Sequence, residues 1–138
     1  MSVRFPAIAD ISSPWWYYAR VAACLLNIDL IDDFMVRLPV EEANRIILAT
    51  NELVGIFRDA RLPVIWVRQE FAPDLSDAFL EMRGKGVRTA IAGTIGAQLD
   101  ERLDVHSSDI VIVKKRYSAF FGTELDESLA ALGSDEIV

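Results

Sequence analysis

The stretch Val21-Ala-Ala-Cys24-Leu-Leu-Asn-Ile28, closed by Asp29, decides the fold. It is apolar at almost every position rather than at alternate ones. A strand with one wet face alternates, whereas a continuous apolar run of this length marks a strand buried on both faces, as in parallel sheets covered by helices. Val64-Ile-Trp-Val67 and Asp109-Ile-Val-Ile-Val113 are runs of the same kind, and Glu136-Ile-Val138 opens a fourth. Residues 41–60 carry a helical stripe at positions 43, 46, 47, 50 (Thr), 53, 54 and 57. Glu41 and Glu42 at its start and Arg58 and Arg61 at its end suit the helix dipole, and Pro63 stops it. Leu125 to Leu132 reads as a second helix, with Thr123 as a cap and Gly133 just past its end. The order β-α-β-loop-β-α-β predicts a parallel sheet with helices on both faces.

Outward from these elements, residues 1–20 read as an N-terminal arm and 21–138 as one α/β domain. Ser12, Ser13 and Pro14 break any helix in the arm, and Trp15-Trp16-Tyr17-Tyr18 forms an aromatic patch. That patch suits either the edge of a core or a subunit interface, where aromatics are enriched. Asp32-Asp33 reads as an acidic turn and Ser76 to Met82 as a short helix, while Gly84, Gly86, Gly93 and Gly96 mark a long loop region. The loop cations Arg83 to Arg88 read as a solvated surface, with an acidic substrate as the rival use.

Composition bounds the partners. The 138 residues are 52% hydrophobic and 25% charged, which is globular. A net charge of −7 argues against a nucleic-acid partner. No apolar run approaches the ~20 residues of a membrane helix, and Arg4, Pro6, Asp10 and Pro14 interrupt any signal-peptide core. One cysteine, Cys24, excludes an internal disulfide framework and fits a reducing compartment. A cytoplasmic location and a small-molecule substrate are the expectations.

In open parallel sheets ligands bind beyond the carboxyl ends of the strands. That rule selects Asp29, Gln69, Glu70 and Lys114. A carboxylate and an ammonium at two buried strand ends stabilise one another. They fit a general base with a charge stabiliser and, equally, a purely structural ion pair. The cluster Asp29, Asp32, Asp33 invites a Mg²⁺ site, but the haloacid-dehalogenase pattern needs an Asp at position 31, which is Ile. His106 is the single histidine, in a stretch that reads as a solvated loop, so neither zinc nor another metal is expected, and no glycine fingerprint follows the first strand to hold a dinucleotide. No cofactor is expected.

Two segments resemble the isochorismatase-like cysteine hydrolase superfamily. Leu25-Leu-Asn-Ile-Asp29-Leu-Ile-Asp-Asp33-Phe34 is similar to the family's apolar strand, catalytic Asp and following Asp-Phe. Lys114-Lys-Arg-Tyr-Ser-Ala-Phe-Phe-Gly-Thr123, with Leu125-Asp126 and Leu129, is similar to its Lys-x-x-Tyr-Ser-Ala-Phe segment and the helix after it. Phe57 to Ile65 and Gly93 to Leu99 add weaker matches. The resemblance implies a three-layer α/β/α, Rossmann-like fold with a mainly parallel sheet. It also implies a Cys-Asp-Lys catalytic set in which Asp29 is the base and Lys114 stabilises developing negative charge. Members hydrolyse small amides through a thioester, or cleave a vinyl ether by acid–base chemistry, and commonly assemble as oligomers. Gln69, Phe71 and Tyr117 are candidates to line the substrate pocket, with Trp66 and Phe120 equally suited to the core.

Three departures follow. The family's cysteine lies after the fourth strand, which this sequence only opens, and Cys24 lies five residues before Asp29 on the opposite strand face. The expectation is a hydrolase fragment whose C-terminal part and nucleophile lie beyond Val138. The alternative is a catalytically silent module that acts by oligomerisation or protein association. Metal-dependent nicotinamidase-type members carry Asp-x-His after the second strand, where this chain has Gln69-Glu70-Phe71. Arg61 stands where the family commonly has a helix-closing Gly.

Overall fold

The computed structural model describes residues 23–138. The arm, its aromatic patch Trp15 to Tyr18, and Val21 and Ala22 of the expected first strand lie outside them. In chain order the elements are β1 (Ala23–Ile28), α1 (Asp32–Met35), α2 (Val40–Asp59), β2 (Val64–Gln69), α3 (Leu80–Lys85), a 3-10 turn (Ile95–Ala97), β3 (Ile110–Lys114), α4 (Leu125–Leu132) and β4 (Glu136–Ile137). The strands form one sheet in the order β3-β2-β1-β4, every pairing parallel.

The pleat divides each buried strand between two cores, as a period of two requires. Leu25, Val64 and Trp66 face α2, packing with Ala43, Ile47, Val54 and Phe57 of that helix. Cys24, Ile65, Val67 and Ile112 face the other way, against Ala119 and Leu125 and Leu129 of α4. Each of these buried aliphatic side chains stabilises by roughly 1.5–3 kcal/mol, so both faces must be covered. This is the expected three-layer α/β/α arrangement. A third cluster caps the carboxyl end of the sheet: Ile31, Phe71, Leu75, Ala78, Ala90 and Ile91. It gives the long loop its own core, which is why a segment so short of regular structure stays ordered.

Helix ends follow local chemistry. At α2, Arg61 N–H donates to Arg58 O at 2.9 Å and Leu62 N–H to Phe57 O at 2.8 Å, with Arg61 at φ 56°. That is a Schellman ending, and Arg61 occupies its left-handed position, where glycine is usual. At α4, Gly133 (φ 63°) holds the equivalent position, with Ser134 N–H to Leu129 O at 3.0 Å.

Two expectations are corrected. The helix expected at Ser76 to Met82 begins only at Leu80. Leu75 is left-handed (φ 60°) and the Asp77 carboxylate accepts from Ala72 N–H at 2.7 Å, so residues 72–79 fold as turns. Asp32-Asp33 is not a bare turn but the start of the one-turn helix α1.

Candidate active site

β1 ends by turning out of the sheet. Asp29 N–H donates to Val67 O at 2.9 Å, and the residue adopts φ 65°. Asp enters this region more readily than most side chains, and non-glycine residues held there cluster at functional sites. In β3 the register sets Lys114 opposite Gln69. Lys114 Nζ lies 2.9 Å from Asp29 Oδ2. The lysine side chain is 1% exposed and the aspartate 33%, so an enclosed ammonium meets a carboxylate that still reaches the surface.

The ammonium has further acceptors. It donates to Gln69 Oε1 at 3.3 Å, Arg116 O at 3.3 Å and Tyr117 O at 3.4 Å. An enclosed charge is tolerable only with such partners. The contact to Gln69 fixes which way the amide faces, leaving Gln69 Nε2 buried without a partner among the described residues. Asp29 Oδ1 and Asn27 Nδ2 are likewise buried and unpartnered. One open acceptor and one oriented open donor therefore flank Lys114. The carboxylate can accept a proton, and the amide can hold an oxygen.

The surrounding wall is aromatic. The Tyr117 ring stacks on Phe79 at 4.6 Å between centroids, Phe71 meets Phe79 edge-on at 5.5 Å, and the Arg116 guanidinium lies 5.8 Å from the Phe79 centroid. Lys115 bridges to Asp77 at 3.0 Å. These contacts clasp the loop before α3 onto the segment after β3. Tyr117 remains 79% exposed, while Phe71 is buried beneath Phe79. Trp66 is core, with Nε1–H donating to Asp109 Oδ2 at 2.9 Å, whereas Phe120 is exposed. Glu70 is paired with Arg68 at 2.6 Å. His106 is exposed, as are Arg83 to Arg88.

The acidic cluster does not converge. Asp33 Oδ2 accepts from Ala90 N–H at 2.7 Å, and its carboxylate lies against the Cα of Gly96. Asp32 N–H donates to Gln98 O and Asp100 N–H to Leu30 O, each at 3.0 Å. The loop before β3 is thus stapled to the chain that leaves Asp29. Among the described residues no three His, Cys, Asp or Glu side chains gather as a metal site would require. Cys24 is fully buried on the α4 side of the sheet, and burial pushes its thiol pKa up.

Sequence reasoning missed Phe79 and the Asp33–Ala90–Gly96 contact. Nothing local marks Phe79, because its partners lie far along the chain. For the second, the stretches Leu25 to Phe34 and Gly93 to Leu99 each carried the resemblance, but nothing in the sequence joins them.

Comparisons with known proteins agree with the fold. The isochorismatase domain family matches residues 23–138. A curated Arabidopsis thaliana protein described as a probable inactive nicotinamidase is 33% identical over 83% of this chain. An isochorismatase family protein from Desulfovibrio vulgaris superposes with a TM-score of 0.73 at 31% identity, covering 84% of this chain. N-carbamoylsarcosine amidase from Thermoplasma acidophilum does so at 0.69 and 29%, covering 83%. This chain spans 62% of the Arabidopsis protein and 64% of each of the two solved chains. The family match over residues 23–138, together with the parallel sheet, shows that the chain belongs to the isochorismatase family.

Proposed function

We propose that this chain carries the Asp and Lys of a metal-independent cysteine hydrolase acting on a small amide or a related C–N bond. The observation that carries this reading is the Asp29–Lys114 contact of 2.9 Å, with Asp29 Oδ1 left open. A thiol is a poor nucleophile until deprotonated. Asp29 takes its proton, and the thiolate attacks the substrate carbonyl. Lys114 stabilises the developing negative charge. Collapse of the adduct breaks the C–N bond, and the leaving amine takes the proton back from Asp29. Water, deprotonated by Asp29, then attacks the thioester and releases acid and thiol. Gln69 Nε2 donates to a substrate oxygen. Tyr117 forms an aromatic wall, with Phe71 behind it through Phe79.

Cys24 cannot supply the thiol, because it is sealed on the α4 side of β1. The nucleophile is proposed to lie beyond Val138, consistent with a chain that spans 62% of its curated relative. Metal independence rests on Gln69-Glu70-Phe71, where a metal-using member would place Asp-x-His, and on Glu70 being held by Arg68. The second reading, a silent module working through association, is favoured by the enclosure of Cys24 and by the description of the Arabidopsis relative as inactive.

The test begins with the reading frame after codon 138, where a Cys is expected within about 20 residues of a strand end, at the start of a helix. In the protein that contains it, Asp29→Asn and Lys114→Ala each reduce turnover of small amides by about 10²-fold or more while circular dichroism is unchanged. Activity should survive a chelator. A stop codon at 139 or full activity in either variant overturns the proposal.

A further inference from the structure

Three successive residues after β3 reach across to one short stretch of the loop before α3. The Lys115 ammonium lies 3.0 Å from Asp77 Oδ2, Arg116 Nη1 donates to the Asp77 carbonyl at 2.8 Å, and the Tyr117 ring stacks on Phe79. Among the described residues, 115–117 make no backbone–backbone hydrogen bonds of their own. The shape of this turn is therefore set by what it grips across the gap.

The turn matters because it carries two acceptors of an enclosed charge. Arg116 O and Tyr117 O accept from Lys114 Nζ at 3.3 and 3.4 Å, beside Gln69 Oε1 at 3.3 Å and Asp29 Oδ2 at 2.9 Å. An ammonium only 1% exposed must stay where its acceptors are. Asp77 is itself anchored from the sheet side. Its Oδ1 accepts from Ala72 N–H at 2.7 Å, and the preceding residue, Phe71, donates to Ala90 O at 2.7 Å. One carboxylate thus ties the chain leaving β2 to the chain leaving β3. We propose that Asp77 is a positioning residue, which holds the 115–117 turn and so keeps the Lys114 ammonium against Asp29. It acts through the turn, because its own polar contacts go to Ala72, Lys115 and Arg116. Its consequence for turnover rests on the hydrolase reading of Lys114, whereas its effect on the place of Lys114 does not.

The test therefore reads Lys114 directly. Lys85, Lys114 and Lys115 are the three lysines of the chain, so acetic anhydride labelling of the full chain, resolved by residue with mass spectrometry, follows each one. Exposed Lys85 serves as the internal standard. Asp77→Ala should raise the labelling rate of Lys114 about tenfold or more, because it frees Ala72 N–H and the turn together. Asp77→Asn and Lys115→Met, which remove only a half-exposed ion pair, should raise it about threefold. Asp77→Glu should stay within about twofold of the parent. Gly133→Ala, which strains the opposite end of the sheet, should leave Lys114 protected. In the protein that contains the nucleophile, Asp77→Ala should lower kcat about tenfold with KM within about threefold of the parent. Unchanged labelling of Lys114 in Asp77→Ala overturns the proposal. So does equal labelling in Gly133→Ala, which would reduce the effect to general loosening, or protection lost in Phe79→Ala but kept in Asp77→Ala, which would assign the turn to the aromatic stack. Full activity in Lys114→Ala, with Lys114 still unmasked by Asp77→Ala, overturns the hydrolase reading and upholds the role of Asp77.

Discussion

Gly96 lies with its Cα against the carboxylate of Asp33, and a methyl group added there would overlap that carboxylate. The same carboxylate accepts from Ala90 N–H at 2.7 Å. Sixty-odd residues of chain are thereby closed by one acidic side chain, directly after the strand that ends in Asp29. Gly96→Ala forces Asp33 away from Ala90 and should destabilise by about 1–2 kcal/mol, after allowing for the smaller unfolded-state entropy of Ala. Asp33→Ala should cost about 1–3 kcal/mol through the orphaned N–H. Urea titrations of both and of the double variant should show the double costing less than the sum. Strict additivity would deny the contact.

The Asp29–Lys114 pair should show as a coupling energy. Lys114→Met removes the ammonium from a site only 1% exposed, and Asp29→Asn removes the facing charge, which is 33% exposed. Because the aspartate is partly solvated, the coupling should be modest, about 1–2 kcal/mol. In the Asp29→Asn background Lys114→Met should therefore be less damaging than in the parent. A coupling near zero in the denaturation cycle would mean that the 2.9 Å contact contributes nothing to stability.

The two helix endings differ in opposite senses. Arg61 sits at φ 56°, where a Cβ is strained, so Arg61→Gly should stabilise by about 0.5–1 kcal/mol. Gly133 sits at φ 63°, so Gly133→Ala should destabilise by about 1 kcal/mol. Thermal midpoints moving the same way in both variants would contradict the assigned endings.

Acid should weaken the amino end of β3. Burial works against the Asp109 carboxylate, but His106 N–H, Trp66 Nε1–H and Arg58 outweigh it and hold its pKa below the ordinary value. The unfolded chain then binds the proton more readily than the folded one. The stabilisation is therefore present above the unfolded carboxylate pKa, about 4, and is lost as pH falls through the lower folded value. Asp109→Asn should lower stability at pH 7 by about 1–3 kcal/mol and flatten its loss below pH 4. An unchanged acid limb in chemical denaturation would show that Asp109 does not contribute to it.

Sequence alone determined the layers, the strand order in the chain and the ends of most elements. Continuous apolar runs and a 3.6-residue stripe are local signals, and burial on two faces leaves few architectures open. It also marked Asp29 and Lys114, because both sit at the ends of such runs. Residues 76–79, read as the first turn of a helix that begins only at Leu80, fold as turns because their conformation is set by Asp77 and Leu75 rather than by periodicity. What only the tertiary structure decided is how side chains remote in the chain combine. It set Lys114 opposite Gln69 so that the amide is oriented, stacked Phe79 on Tyr117, and closed Asp33 on Gly96. Each of these contacts depends on strand register and loop path. Those emerge from packing the whole core, and no window of sequence contains them.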